Sequence, residues 1–305
     1  MTRKPASVAP LPMREGVAPS RVFLPQGPWQ CLGEFLVQRF PHVDPAILQA
    51  RLAAGQIVDS TGTPQSAQAA YHPGGWLWYY RAVPDEVQLP FDLPVLYRDE
   101  HLVAVDKPHF LASTPGGRYL YQTALTRLRQ TLDLPDLSPM HRLDRETAGV
   151  LLFCVDPASR GAYQSLFQNR LVHKEYLAMA PWRLNLSSPL ERRSRLEPRP
   201  GHFTMQEVPG TPNSVTAITL LSRHGELGLY RLEPLSGRKH QLRVHMSALG
   251  IPICHDRFYP ELQPYNDSDD HERPLQLLAE TIAFTDPLSG HPRRFTSSRR
   301  LALHQ

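Results

Sequence analysis

Helical and strand periodicities separate along this chain. In LGEFLVQRF, Leu32, Phe35, Leu36 and Phe40 recur at three- and four-residue steps, one face of a helix. DPAILQARLAAG carries the marks of a second helix. Asp44 is placed as the cap, Pro45 in the first turn, Ile47, Leu48 and Leu52 on one face, and Gly55 just past the end. IVDSTGTP and GGWLWYYRAV then read as strands. The stretch 22–88 is therefore expected to form a small α+β domain. VPDEVQLPFDLP (83–94), broken by prolines, marks the passage to the next one.

After that linker short apolar runs dominate. VLYRDEHLVAVDKP predicts two strands joined at Arg98–Asp99–Glu100, and GVLLFCV (149–155) predicts a buried strand. VHKEYLAMAP reads as a further strand, and VTAITLLSR and LGLYRLEPL flank HGE as a hairpin. TALTRLRQTL (123–132), PASRGAYQSLFQNR (157–170) and HQLRVHMSALG are expected to be helices. The last places Leu242, Met246 and Leu249 on one face and Gly250 at its end. Strands that follow one another, with few helices inserted, argue for an α+β fold with a mixed, largely antiparallel sheet over 89–305. Residues 1–21, basic and proline-containing, are expected to be a disordered tail. QPYNDSDDHE (263–272) reads as an exposed acidic loop.

Composition adds constraints. The 305 residues are 41% hydrophobic and 20% charged, as in an ordinary globular protein. The formal net charge of +4 permits an anionic partner. Arginines cluster at 192, 193 and 195 and again at 293, 294, 299 and 300, as phosphate contacts or solvated loops would. Cys31, Cys154 and Cys254 are far apart and fit no zinc spacing, which predicts reduced thiols in a cytoplasmic protein. No apolar run approaches the length of a membrane span, and the first twenty residues lack the apolar stretch of a secretory leader.

GxxxxGK[ST], HExxH and GxSxG are all absent, and His240 and His245 stand five apart, so no metal site is expected. Three stretches set charge against apolar context: HRLDRETAG (141–149), KEYLAM (174–179) and LSGRKHQLRVHMSALGIPICHDRFYP (235–260). Asp144 lies just before the GVLLFCV run. A carboxylate at the entrance to a buried strand can be partly desolvated, and a nearby arginine can keep it ionised, which suits a nucleophile or general base. On the residues alone a structural ion pair is the simpler reading.

HRLDRETAGVLLF, KEYLAM and GRKHQLRVHMSALG, in that order, resemble the RluA-type pseudouridine synthase family. LPVLYRDEHLVAVDKPHFLAS resembles the opening hairpin of its catalytic domain, and the resemblance spans about 92–300. FLVQRFPHVDPAILQARLAAGQIV resembles a small RNA-binding domain first described in a ribosomal small-subunit protein. The resemblance implies an isomerase acting on uridine in ribosomal or transfer RNA, without cofactor or metal. The nucleotide is flipped out, its bond from ribose to the base nitrogen is broken, and the uracil is rejoined through carbon. By this resemblance Asp144 is the catalytic aspartate, Arg243 its partner and Tyr176 the active-site tyrosine. Arg142, His141, Arg238 and Gln241 are expected at the substrate. A monomer is expected, and the alternative is a catalytically silent RNA-binding or ribosome-assembly factor with the same fold. Two positions depart from the family pattern. His255 stands before Asp256 where a glycine is common, and Leu278 where a histidine is common.

Overall fold

Residues 9–83, 86–184, 189–264 and 269–301 are described by a computed structural model of the chain, which divides into units Met1–Glu86 and Val87–Gln305. The first unit holds β1 (Ser20–Phe23), α1 (Leu32–Arg39), α2 (Pro45–Ala53), β2 (Ile57–Val58) and β3 (Trp76–Tyr79), with an antiparallel sheet in the order β1-β3-β2. Leu32, Phe35 and Leu36 of α1 and Leu48 and Leu52 of α2 bury against Val22, Ile57 and Leu77. The Asp44 carboxylate accepts from the Ala46 amide at 2.8 Å and starts α2. Ile47 does not join this core and is 52% exposed, because the buried line of α2 runs through Leu48 and Leu52, one turn apart. Of the tail expected to be disordered over 1–21, residues 1–8 lie outside the described residues and residues 9–21 carry structure. Arg14 and Val17 form a bridge, the Tyr80 hydroxyl donates to the Pro12 carbonyl at 2.6 Å, and β1 starts at Ser20. A single buried residue, Val22, anchors that strand, too little alternation to stand out from the proline-rich sequence before it.

The second unit begins with β4 (Val95–Arg98) and β5 (Leu102–Lys107), followed by α3 (Ala124–Thr131), β6 (Ser138–Pro139), β7 (Ala148–Cys154) and α4 (Arg160–Gln168). Then come β8 (His173–Pro181), β9 (Leu190–Pro198), β10 (Met205–Val208), β11 (Ser214–His224) and β12 (Leu227–Pro234). α5 (Gln241–Ala248), β13 (Leu277–Thr285) and β14 (Pro292–Thr296) complete it. The strands form one sheet in the order β10-β9-β11-β12-β8-β13-β7-β5-β4, with β14 on β13 and β6 on β7. Every pairing is antiparallel except β13 with β7.

β7 and the first four residues of β5, Leu102–Val105, are apolar because both faces of these strands are covered. Leu102, Ala104, Val150 and Leu152 face Tyr163 and Leu166 of α4, while Val103, Val105, Leu151 and Phe153 face Leu125 and Leu128 of α3. Gly149 sits at the parallel crossing with φ of 114°, and a Cβ there would lie 2.1 Å from the Ala279 carbonyl oxygen. Only glycine fits, which explains the glycine that ends HRLDRETAG. α5 packs Leu242 and Met246 on Ala178, Ile218 and Leu232. It thereby covers the sheet beside the C-terminal half of β8.

Several arginines of the two clusters are held in ion pairs. LERRSRLEP is β9, and its Arg192, Arg193 and Arg195 pair with Glu207, Glu191 and Glu197. Arg293 donates to Asp286 and Asp99, both at 3.1 Å, and Arg299 lies 3.4 Å from the fully buried Asp106.

Candidate active site

The turn from β6 into β7 carries residues 141–147, and its backbone is held from below. The Ser113 hydroxyl donates to the Leu143 carbonyl at 2.7 Å and accepts from the Leu143 amide at 3.0 Å. Lys107, wholly buried at the end of β5, donates to the carbonyls of Pro108, Leu111 and Arg145 at 3.0, 2.9 and 3.3 Å. Burial pulls its pKa down to about 7, against the opposing pull of Glu146 and Asp144. His109 donates through Nδ1 to the Glu146 carbonyl at 2.6 Å, and the Thr147 amide donates to the Asp144 carbonyl at 3.1 Å. Arg145 turns away from Asp144, to Asp269 and over the Tyr119 ring at 4.8 Å.

α5 delivers Arg243 to this turn. Its guanidinium is 1% exposed and donates through Nε and Nη2 to Asp256 at 2.8 and 2.6 Å, a bidentate pair. The third nitrogen, Nη1, reaches Asp144 Oδ2 at 3.5 Å and Glu146 Oε2 at 3.4 Å. The Phe258 ring lies 4.3 Å from the guanidinium carbon. Burial works against this cation, but the hydrogen bonds and charge of Asp256, then Asp144 and Glu146, more than offset it and raise its pKa. Asp256 is also held by the amides of Phe258 and Tyr259, at 2.8 and 3.3 Å. Asp144 itself remains 28% exposed and opens on a cavity of about 740 Å³.

Tyr176, on β8, lines the same cavity. Burial, and then the charge of Asp144, push its hydroxyl pKa up, so the group keeps its proton and acts as a donor. Arg142 and Arg238 are exposed at the cavity wall. Arg142 makes no hydrogen bond or ion pair among the described residues, whereas Arg238 Nε donates to the Asn213 carbonyl at 3.4 Å.

Two of the expected substrate contacts line the cavity but have polar atoms engaged within the fold. The Gln241 amide is fully occupied. Its oxygen accepts from the Ser236 hydroxyl at 2.7 Å and the Arg238 amide at 3.2 Å, and its nitrogen donates to Val215 and Thr216, both at 2.9 Å. It fixes the turn before α5. His141 accepts the Leu152 amide hydrogen through Nε2 at 3.2 Å and stacks on Phe167 at 4.9 Å, which fixes its ring in the cavity wall. The residues that sequence reasoning passed over are Asp256, Glu146 and Lys107. Asp256 stood in a quoted motif, but nothing in its spacing from Arg243 announces the bidentate pair.

The two departures from the family pattern are accommodated locally. His255 has φ of 61°, so the position does demand the left-handed region, and its Nδ1 donates to the Pro274 carbonyl at 3.1 Å. Leu278 is buried with Ala148, Met179, Leu229 and Leu301. Among the described residues His173, Glu175 and Glu233 form the one trio of metal-type ligand atoms within 4.8 Å of one another. None of the three lines the cavity, and Glu175 is paired with Arg231 at 3.2 Å.

Four histidines are held neutral by burial. The pKa of His141 falls to about 3, and those of His109, His240 and His245 to about 4. Their ordinary value is 6.5, so as pH falls the unfolded chain takes up protons first. The stabilisation is full above that value and is lost progressively from about pH 6.5 towards about 4, by up to about 1.4 kcal/mol per pH unit for each histidine. The melting temperature is therefore expected to drop steeply over that range. Unfolding at pH 5 should take up protons, measurable by calorimetry in buffers of different ionisation enthalpy. A flat profile between pH 6.5 and 5 would contradict the assignment.

A family model described as RNA pseudouridylate synthase matches residues 101–248. The chain is 31% identical over 229 residues to an uncharacterized RNA pseudouridine synthase of Synechocystis, covering 74% of this chain and 78% of that protein. It is 33% identical over 210 residues to the dual-specificity RNA pseudouridine synthase RluA of Salmonella typhimurium, covering 67% and 91%. Among solved structures, human RNA pseudouridylate synthase domain containing 4 superposes with a TM-score of 0.55 at 25% identity, over 69% of this chain and 90% of that one. Human RNA pseudouridylate synthase domain containing 1 gives 0.57 at 24%, over 70% and 86%, which shows the shared fold. With the three motifs gathered around one cavity and these relatives matched over most of their length, the chain belongs to the RluA-type RNA pseudouridine synthases.

Proposed function

We propose that Asp144 is the carboxylate through which this isomerase converts uridine in RNA to pseudouridine, with Arg243 and Tyr176 beside it. The observation that carries this reading is the open face of Asp144 in the cavity, opposite a buried guanidinium already clamped by Asp256. A uridine stacked in RNA hides its glycosidic bond, so the nucleotide must leave the stack and enter a pocket. As the bond from C1′ to N1 breaks, positive charge grows on the ribose. An ionised carboxylate can stabilise it, attack C1′, or assist removal of a ribose proton. Tyr176 offers a ring to stack on the uracil and a hydroxyl that donates. Arg142 and Arg238, exposed at the wall, are placed for the phosphates on either side.

The substrate is proposed to be ribosomal or transfer RNA, and the enzyme a monomer. The free cysteines Cys31, Cys154 and Cys254 fit the reducing cytoplasm, and among the described residues no helix is long and apolar enough to cross a membrane. Pseudouridine maps of all stable RNAs, made by carbodiimide labelling with and without the gene, test the reading. One or a few sites should disappear on deletion and return with the wild-type gene, whereas an unchanged map contradicts it.

The first unit is proposed to add RNA affinity. Deleting residues 1–86 should weaken binding and make it less steeply dependent on salt. Equal affinity of the shortened and full chains across several salt concentrations would remove that role.

A further inference from the structure

We propose that His240 is a positioning residue for Asp144, its imidazole fixed in one tautomer by Tyr259 so that Nε2–H is presented to the carboxylate. The inference rests on the reading of Asp144 given above. His240 occupies the N-cap of α5 with φ of 54° and ψ of 17°, a left-handed conformation that is unfavourable for a non-glycine residue. Strain of this kind persists where the surroundings over-determine it. The imidazole gives no capping bond in return. It is instead buried, with Phe203 and Phe258 rings 6.2 and 5.7 Å away, and it lines the cavity.

The neighbours of the ring favour one site for its proton. The Tyr259 hydroxyl oxygen accepts the Met205 amide hydrogen at 2.8 Å and lies 2.8 Å from His240 Nδ1. The phenol keeps its own proton, since burial raises its pKa to about 12. In the proposed arrangement that proton is donated to Nδ1, which then accepts, and the imidazole hydrogen resides on Nε2. Nε2 lies 3.9 Å from Asp144 Oδ2, the same oxygen that Arg243 Nη1 approaches at 3.5 Å. Two donors thus converge on one carboxylate oxygen and leave the other for the ribose. The 3.9 Å separation is longer than a hydrogen bond, so the proposal requires this contact to shorten in the reacting complex.

The ring is neutral in this setting. Burial lowers its pKa to about 4, Asp144 opposes the shift, Arg243 and Lys239 reinforce it, and Asp256 opposes it. A cation would carry a hydrogen on Nδ1 as well, so its bond with Tyr259 would have to reverse and the phenol would no longer donate to it. A neutral ring holds the carboxylate without adding a second full charge beside Arg243.

The test uses the full chain. Long-range proton–nitrogen correlation of histidine-labelled enzyme should show His240, identified by the signal missing in His240→Asn, as the neutral Nε2–H tautomer at pH 7 and pH 6. Asparagine accepts the left-handed backbone but is too short to replace Nε2. His240→Asn is therefore expected to lower kcat roughly 10- to 100-fold on the mapped RNA, with KM within about threefold. His240→Gln, whose amide nitrogen reaches further, should recover part of that loss. Tyr259→Phe leaves the histidine in place and is expected to lower kcat and let the Nδ1–H form appear. An Nδ1–H or cationic ring in the wild type overturns the proposal. So does a tautomer unmoved by Tyr259→Phe, or a kcat within about threefold in His240→Asn. Turnover by Asp144→Asn would instead overturn the reading of Asp144 on which the proposal stands.

Discussion

Asp144→Asn is expected to lower kcat at least about 1,000-fold while RNA affinity stays within about threefold. The substitution is isosteric and removes one charge. Arg243 keeps its bidentate pair with Asp256 and its contact with Glu146, so the buried cation stays satisfied and the fold should not suffer. The turn itself is held through Ser113, Lys107 and His109, none of which bonds the Asp144 side chain. RNA affinity comes chiefly from phosphate contacts, which an amide in the cavity does not touch. What is lost is the negative charge that meets the ribose as its glycosidic bond breaks. Binding isotherms and single-turnover rates on the same RNA separate the two effects. A mutant that turns over at the wild-type rate would remove Asp144 from the chemistry, and one that loses binding in proportion would make it a binding group.

A second large effect is expected at a residue that no motif spacing pointed to. Asp256 and Arg243 are each 1% exposed in their side chains and joined by two hydrogen bonds. Asp256→Ala leaves a buried guanidinium with two long contacts, and breaking such a pair costs about 3–5 kcal/mol. Denaturant unfolding should show that loss, and turnover should fall with it, because the direction of Nη1 towards Asp144 is set by the other two nitrogens. Asp256→Asn keeps one acceptor and should lie between. A destabilisation of Asp256→Ala below about 1 kcal/mol would mean that Arg243 is held by other means.

The parts of the fold that the sequence makes legible are those where one local pattern suffices. The apolar runs of β5 and β7, the hairpin of β11 and β12, and the capped α2 all read directly. β9 did not, since a strand whose arginines are neutralised by glutamates on itself and on β10 looks, in one dimension, like a basic loop. The site divides in the same way. Asp144, Tyr176 and Arg243 lie in stretches that carry the family resemblance, and the cavity gathers all three. Gln241 stands next to them in sequence, yet helix geometry turns its amide to Ser236, Val215 and Thr216. Asp256 meets Arg243 across the return of the chain from α5 to the segment before β13, and His240 approaches Asp144 in the turn between β6 and β7, over distances that only the fold sets.

Rejoining uracil through its C5 carbon must release the hydrogen carried there. The most direct measurement is therefore release of tritium into water from RNA containing 5-tritiated uridine, with the enzyme and its Asp144→Asn variant compared at saturating concentration. Release by the wild type to the extent of the mapped sites, with none above background from the variant, is the predicted result. Equal release from both would contradict the assignment of the reaction to Asp144.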